Sequence, residues 1–260
     1  MHCNFMPRLS LGLGAQNIRK VGGVAPFTPA SLSGLSLWLK ADAGVTLSGS
    51  NVTGWADQSG NGKNAVGSGT LPTRQLNALN GYPAIRFNNI SPDTSKFVIS
   101  SSFNLKNSSA FVVVKQLNLD NEFARCLSFP SFADLDYNAD DGLAVDFYNG
   151  EPQLQIESNT INTVISDAAA DNVFAIASYK IDNSGNVNLF YNGGSEATNQ
   201  NSDMASQNGV SEIYIGQSPS NITSEGIYGD IAEIVMYSRA VTTPERQQVE
   251  AYLNTKYAIY

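Results

Sequence analysis

Histidine occurs once in these 260 residues, at His2, and cysteine twice, at Cys3 and Cys126. A Ser-His-Asp triad or a histidine metal site would have to recruit the tip of the N-terminal segment, so both are set aside. Two cysteines make no disulfide scaffold, and free thiols are the expectation. Charge is also scarce: 15% of the residues are Asp, Glu, Lys or Arg, against about 25% in an average protein. Asn, Ser, Thr, Gln and Gly stand in their place, so neutral polar groups and turns must cover much of the surface. No run approaches the roughly 18 consecutive apolar residues of a membrane span. Nor does the start read as a secretory signal, because Pro7 and Arg8 precede only a short, glycine-broken apolar stretch and Arg19 and Lys20 follow it. The net charge of −8 lacks the basic face that sequence-independent nucleic-acid binding requires.

What is present is a succession of short extended segments separated by Asn, Gly, Asp and Ser. "LSLWLKA" (35 to 41), "YPAIRFN" (82 to 88), "AFVVVKQL" (110 to 117) and "LAVDFYN" (143 to 149) are followed by "QLQIES" (153 to 158) and "VFAIASYKI" (173 to 181). "VNLFYN" (187 to 192), "EIYIGQ" (212 to 217) and "DIAEIVMYS" (230 to 238) complete the series. Roughly ten such strands imply a sandwich or a barrel. In the first of them Leu35, Leu37 and Leu39 share one face, and Ser36, Trp38 and Lys40 the other. "DNSGN" (182 to 186) supplies residues that accept positive φ, which makes 173 to 194 a hairpin. One helix closes the chain: "TTPERQQVEAYLNTKY" (242 to 257) offers Thr243 as N-cap, Pro244 as first helical residue and Glu245 near the positive end of the dipole. Val249, Tyr252, Leu253 and Tyr257 recur at helical spacing and give it one apolar face.

"GLSLWLKADAGV" (34 to 45), "WADQSGNGKNA" (55 to 65), "NGYPAIRF" (80 to 87) and the strand-then-helix ending over 229 to 257 together resemble the laminin G-like members of the concanavalin A-like lectin/glucanase superfamily. The resemblance implies an all-β, two-sheet antiparallel jelly-roll sandwich with one C-terminal α-helix, the domain taken as residues 34 to 260; residues 1 to 33 lie before it and read as an extended N-terminal arm and connector. Such sandwiches serve as sugar binders, interaction modules, hydrolases and inert spacers, so the fold alone does not name a function.

Glucanases of the superfamily carry alternate carboxylates on one strand, as acid and nucleophile. No such spacing occurs here, since "EPQLQIE" (151 to 157) has two glutamates and no carboxylate between them. The expectation is a protein that is not an enzyme. The most acidic cluster is "DLDYNADDG" (134 to 142). Asp134, Asp136 and Asn138 fit alternate calcium-ligand positions, and Asp140 completes the candidate metal set. Ala139 stands where the loop glycine would be, and Val145 where the closing glutamate would be, so a solvated turn is the competing reading. "WADQSGNGKNA" could present Trp55 as a sugar platform with Asp57 or Asn61 as hydrogen-bonding groups; equally, Asp57 could close its own turn with Trp55 packed beneath. Tyr137, Tyr148 and Tyr214 could add to a carbohydrate surface.

The first 31 residues contain Arg8, Arg19 and Lys20 and no acid, which leaves −11 on the remainder. Within this arm "LSLGLGA" (9 to 15) alternates Leu9, Leu11 and Leu13 with residues that have almost no side chain. "VGGVAPFTPASLSG" (21 to 34) reads as a connector to the body. An apolar ribbon with a glycine back can add to a sheet edge or enter a groove of another chain, with Arg8, Arg19 and Lys20 suiting an acidic receiver. A laminin G-like sandwich on a short docking arm is similar to proteins of tailed-phage particles. That resemblance implies a capsid decoration protein, head fibre or tail component at the virion surface. Its partners would be other virion proteins, host glycans and further copies of itself. A carbohydrate-binding adhesion module of a bacterial surface is the alternative, and a polysaccharide-degrading enzyme the third.

Overall fold

The computed structural model describes residues 25–90, 94–117, 124–130, 142–148, 151–157, 161–164, 172–200, 209–219 and 225–260. The first strands in chain order are β1 (Leu35–Lys40), β2 (Val45–Ser48), β3 (Asn51–Trp55), β4 (Ala65–Gly69), β5 (Thr73–Leu79) and β6 (Tyr82–Asn88). Then come β7 (Ser95–Phe103), β8 (Ser108–Gln116), β9 (Ala124–Phe129), β10 (Gly142–Tyr148), β11 (Glu151–Glu157) and β12 (Ile161–Val164). The series ends with β13 (Phe174–Ile181), β14 (Asn186–Tyr191), β15 (Ser195–Gln200), β16 (Val210–Ile215), β17 (Tyr228–Tyr237) and the helix α1 (Thr243–Tyr257). All pairings are antiparallel, and together they form one curled sheet folded into two layers. The front layer runs β12-β11-β10-β9-β16-β7-β4-β3-β2. The back layer runs β15-β14-β13-β8-β17, and β1 and β6 share the far edge of β17, with β5 beyond β6. Among the described residues the architecture is therefore the expected all-β sandwich with one α-helix, at the C-terminal end.

Period-2 alternation assigns the cores. On β8, Ala110, Val112 and Val114 face the space between the layers, where they meet Phe97, Ile99, Leu127 and Tyr179. Phe111 and Val113 face outward into a second cluster closed by Val249, Leu253 and Tyr257 of α1. The back layer is thus apolar on both faces, and each large side chain fully buried there contributes roughly 1.5–3 kcal/mol. The expected hairpin is formed by β13 and β14, with Gly185 at a φ of 79° in its turn.

Three local expectations are corrected. Leu35 does not share a face with Leu37 and Leu39: a bulge between Leu35 and Leu37 shifts the register against β17, so Leu35 packs with the outer cluster and the other two with the inner one. The cap of α1 is Thr242, one residue earlier than expected, because Glu245 reaches back to accept the Thr242 N–H at 2.8 Å and its hydroxyl at 2.9 Å. Finally, residues 27 to 32, read as connector, pack on the sandwich. Phe27 and Leu32 lie against the outer cluster, and Pro29 is buried, its carbonyl accepting the Tyr237 hydroxyl at 2.9 Å.

Candidate functional site

The "WADQSGNGKNA" loop resolves as a clamp. Trp55 is 1% exposed and its indole N–H donates to the Lys40 carbonyl at 2.8 Å. Asp57 Oδ1 accepts the backbone N–H of Trp38 at 2.9 Å and of Ser59 at 2.8 Å, while Oδ2 accepts the Lys63 N–H at 3.1 Å. The Asn61 amide donates to the Leu35 carbonyl at 2.9 Å. These side chains satisfy backbone groups of the loop and β1, which leaves their polar atoms committed to structure.

Tyr214 is 9% exposed; its hydroxyl donates to Glu212 at 2.7 Å, and burial together with that carboxylate pushes its pKa up to about 12. It is a packed residue more than an offered one. Cys126 is buried, its thiol donating to the Ala124 carbonyl at 3.8 Å. The metal candidates Asp134, Asp136, Asn138 and Asp140 lie outside the described residues, as do Tyr137 and the docking candidates Arg8, Leu9, Leu11, Leu13, Arg19 and Lys20. Tyr148 lies in β10, and its side chain is not described. Among the described residues, no group of three or more His, Cys, Asp and Glu side chains could hold a metal ion, and no helix is long and apolar enough to cross a membrane.

The buried acids are engaged in ion pairs. Asp230 pairs with Arg86 and, at 3.0 Å, with Lys115. Glu250 accepts Arg246 Nη1 at 2.7 Å and the Ser178 hydroxyl at 3.1 Å. Glu233, with no exposed surface, accepts the Trp38 indole at 2.6 Å, the Tyr257 hydroxyl at 2.8 Å, the Tyr252 hydroxyl at 3.2 Å and Lys256 Nζ at 2.8 Å. Burial and the Glu233 charge push the Tyr252 and Tyr257 hydroxyls up, which keeps both as neutral donors. The three of these donors that belong to α1, Tyr252, Lys256 and Tyr257, pin the helix to the sheet.

That pinning shapes a cleft. On α1, Gln248, Ala251, Tyr252 and Thr255 follow one another at i, i+3, i+4 and i+7, so they form one stripe along the helix. Pro26, Phe27 and Thr28, held down through Pro29, line the cleft from the other segment, and Tyr82 and Lys256 complete the lining. The small Ala251 leaves a hollow of about 660 Å³. Its rings are held: Tyr252 lies edge-on to Trp38 at 6.3 Å, Tyr82 edge-on to Tyr257 at 5.4 Å, and Lys256 Nζ stands 5.1 Å from the Tyr82 ring centre. Lys256 itself is held between Glu233 and Asp42, the latter at 3.1 Å. None of Phe27, Tyr82, Gln248 or Thr255 was singled out in the sequence. Of the helical stripe only Tyr252 belongs to the apolar face legible in the sequence, and the opposing wall arrives from a segment read as a linker.

No family model and no curated sequence matches the chain. Solved structures do. The binding domain of botulinum neurotoxin DC in complex with rat synaptotagmin II superposes with a TM-score of 0.60 at 11% identity, over 88% of this chain and 52% of that one. The same domain in complex with SialylT gives 0.60 at 12% identity, over 87% and 52%. Trypanosoma rangeli sialidase in complex with sialic acid gives 0.61 at 14% identity, over 86% and 33%. The chain spans about half the length of the toxin domains. At these identities the likeness is one of fold: this chain shares the curled antiparallel β-sandwich of those structures.

Proposed function

We propose that the chain is a non-catalytic, lectin-like binding module. The observation that carries this reading is the state of its buried acids. Asp230, Glu233 and Glu250 are each neutralised by Lys or Arg and aimed at structural donors, so none of them forms the facing carboxylate pair of glycoside hydrolysis. The likeness to toxin binding domains supports the same reading, and the likeness to a sialidase supports the enzymatic alternative. The module is displayed at a virion surface as a capsid decoration protein, head fibre or tail component, and is anchored by its arm while the jelly roll touches host glycans. The basic, leucine-striped composition of residues 1 to 20 supports that anchoring. A bacterial-surface adhesion module would share the binding chemistry and differ in its anchor.

The test is removal of residues 1–24, a cut that spares the packed Phe27 and Pro29. A folded sandwich that no longer joins its particle is expected. Unchanged incorporation would refute the anchor, and turnover of a polysaccharide by the full chain would refute the non-catalytic reading.

A further inference from the structure

We propose that the cleft between α1 and the Pro26–Thr28 segment is a binding subsite for neutral carbohydrate, an inference that rests on the lectin-like reading above. Sugars present apolar C–H faces ringed by hydroxyls, and they are held where aromatic rings lie beside free hydrogen-bonding groups. The cleft has both. Phe27, Tyr82 and Tyr252 supply ring surface, while the Gln248 amide and the Thr255 hydroxyl stand exposed at its rim, neither bonded to another described residue. The volume of about 660 Å³ falls within the roughly 300–1,000 Å³ of small-molecule sites.

Two features distinguish this surface from a bed for an apolar partner. Its walls are held before any ligand arrives: Tyr252 by the Glu233 carboxylate, Tyr82 by Tyr257 and Lys256, and the Phe27 segment by the Tyr237 hydroxyl on Pro29. A ligand therefore meets little ordering cost. Of the four helix residues in the stripe, two are polar, which interrupts the continuous apolar face that a docking helix needs. Charge selects within the class of sugars. Among the described residues of the lining Lys256 is the one charged side chain, and Asp42 and Glu233 both accept from it, so these residues hold out no uncompensated cation to a carboxylate or sulfate. The ligand class that fits is a neutral oligosaccharide.

The experiment uses the full chain on a glycan array containing neutral, sialylated and sulfated oligosaccharides, followed by titration calorimetry with the best neutral ligand. Ala251→Trp fills the hollow from an exposed helix position, and the pair Gln248→Ala with Thr255→Val strips the rim without touching the core. Both variants are expected to melt with wild type and to lose at least about tenfold in affinity, which is about 1.4 kcal/mol. Wild-type affinity in both folded variants would overturn the subsite while leaving the lectin-like reading standing. Binding restricted to acidic glycans would overturn the neutral assignment. If wild type binds no glycan, the lectin-like reading falls and the subsite with it. Should Ala251→Trp fail to fold, the rim pair decides the same question.

Discussion

Trp38 of β1 donates its indole N–H to Glu233 of β17 at 2.6 Å, beneath α1. A carboxylate with no exposed surface thus collects one indole, two phenols and one ammonium, and each of those groups belongs either to the back layer or to the helix. Glu233→Ala leaves the Lys256 ammonium and the indole without their acceptor. It should cost about 3–5 kcal/mol, the range for breaking one side of a buried ion pair. Urea denaturation measures this as a lower midpoint at unchanged slope. A loss below about 1 kcal/mol would show that the network does not hold the helix.

Asp57→Ala should separate loop architecture from ligand contact. The substitution strips acceptors from the Trp38, Ser59 and Lys63 amides, and a cost of about 1–3 kcal/mol is expected from the donors it strands. Glycan affinity, measured below the melting transition, should stay at the wild-type value, because this loop closes on β1 and not on the cleft. A selective loss of binding with stability intact would return Asp57 to the list of ligand contacts.

Glu245 gives the acid limb of stability a defined sign. Its bidentate pair with Arg239, at 2.7 and 2.8 Å, together with the Thr242 N–H, lowers its pKa from 4.5 to about 2. Because the folded-state pKa is depressed, the contribution is complete above the unfolded value near 4.5 and is lost as pH falls toward about 2. The melting temperatures of wild type and Glu245→Gln should therefore differ at neutral pH and converge across that window. A gap that stays constant down to the acid end would disprove the linkage.

Gly216→Ala should be among the most damaging single-methyl changes. At φ 90° the backbone is one that L-residues rarely adopt, and the added Cβ would collide with the Phe87 ring, itself packed on Phe97. The combined strain and overpacking should cost about 2–4 kcal/mol. Differential scanning calorimetry would register it as a large drop in melting temperature, whereas Gly81→Ala, where the Cβ meets open space, should carry only the cost of its positive φ.

The sequence carried some of this fold plainly and some not at all. α1 was legible because Val249, Leu253 and Tyr257 repeat at helical spacing behind a Thr-Pro-Glu start, and all three are buried. Its cap was displaced by one residue because two threonines precede the proline, and only the reach of Glu245 decides between them. β2, β3, β4, β5, β7, β9, β12 and β15 were missed: "VTLS", "AVGSG" and "TRQLNAL" carry little apolar signal, "SKFVISSSF" and "ARCLSF" dilute theirs with serine and charge, and all of them depend on partners from elsewhere in the chain. Alternation in β1 was right for Leu37, Trp38 and Leu39 and wrong for Leu35, because a bulge is a property of the pairing and leaves no mark in one strand. The cleft was invisible for a related reason. Phe27, Tyr82 and Tyr252 come from the start, the first third and the end of the chain, and what makes them neighbours is the Glu233 hub and the Pro29 tether.

The same long-range pairing sets an order of events in biogenesis. Among the described residues the partner strand of β1 is β17, with a register that runs from Leu35↔Tyr237 to Lys40↔Glu233. During synthesis β1 must therefore wait while the residues between Lys40 and Tyr228 are made, and this pairing closes only when β17 emerges. A fold of such high contact order is expected to form slowly and to be exposed to misassembly until β17 is available.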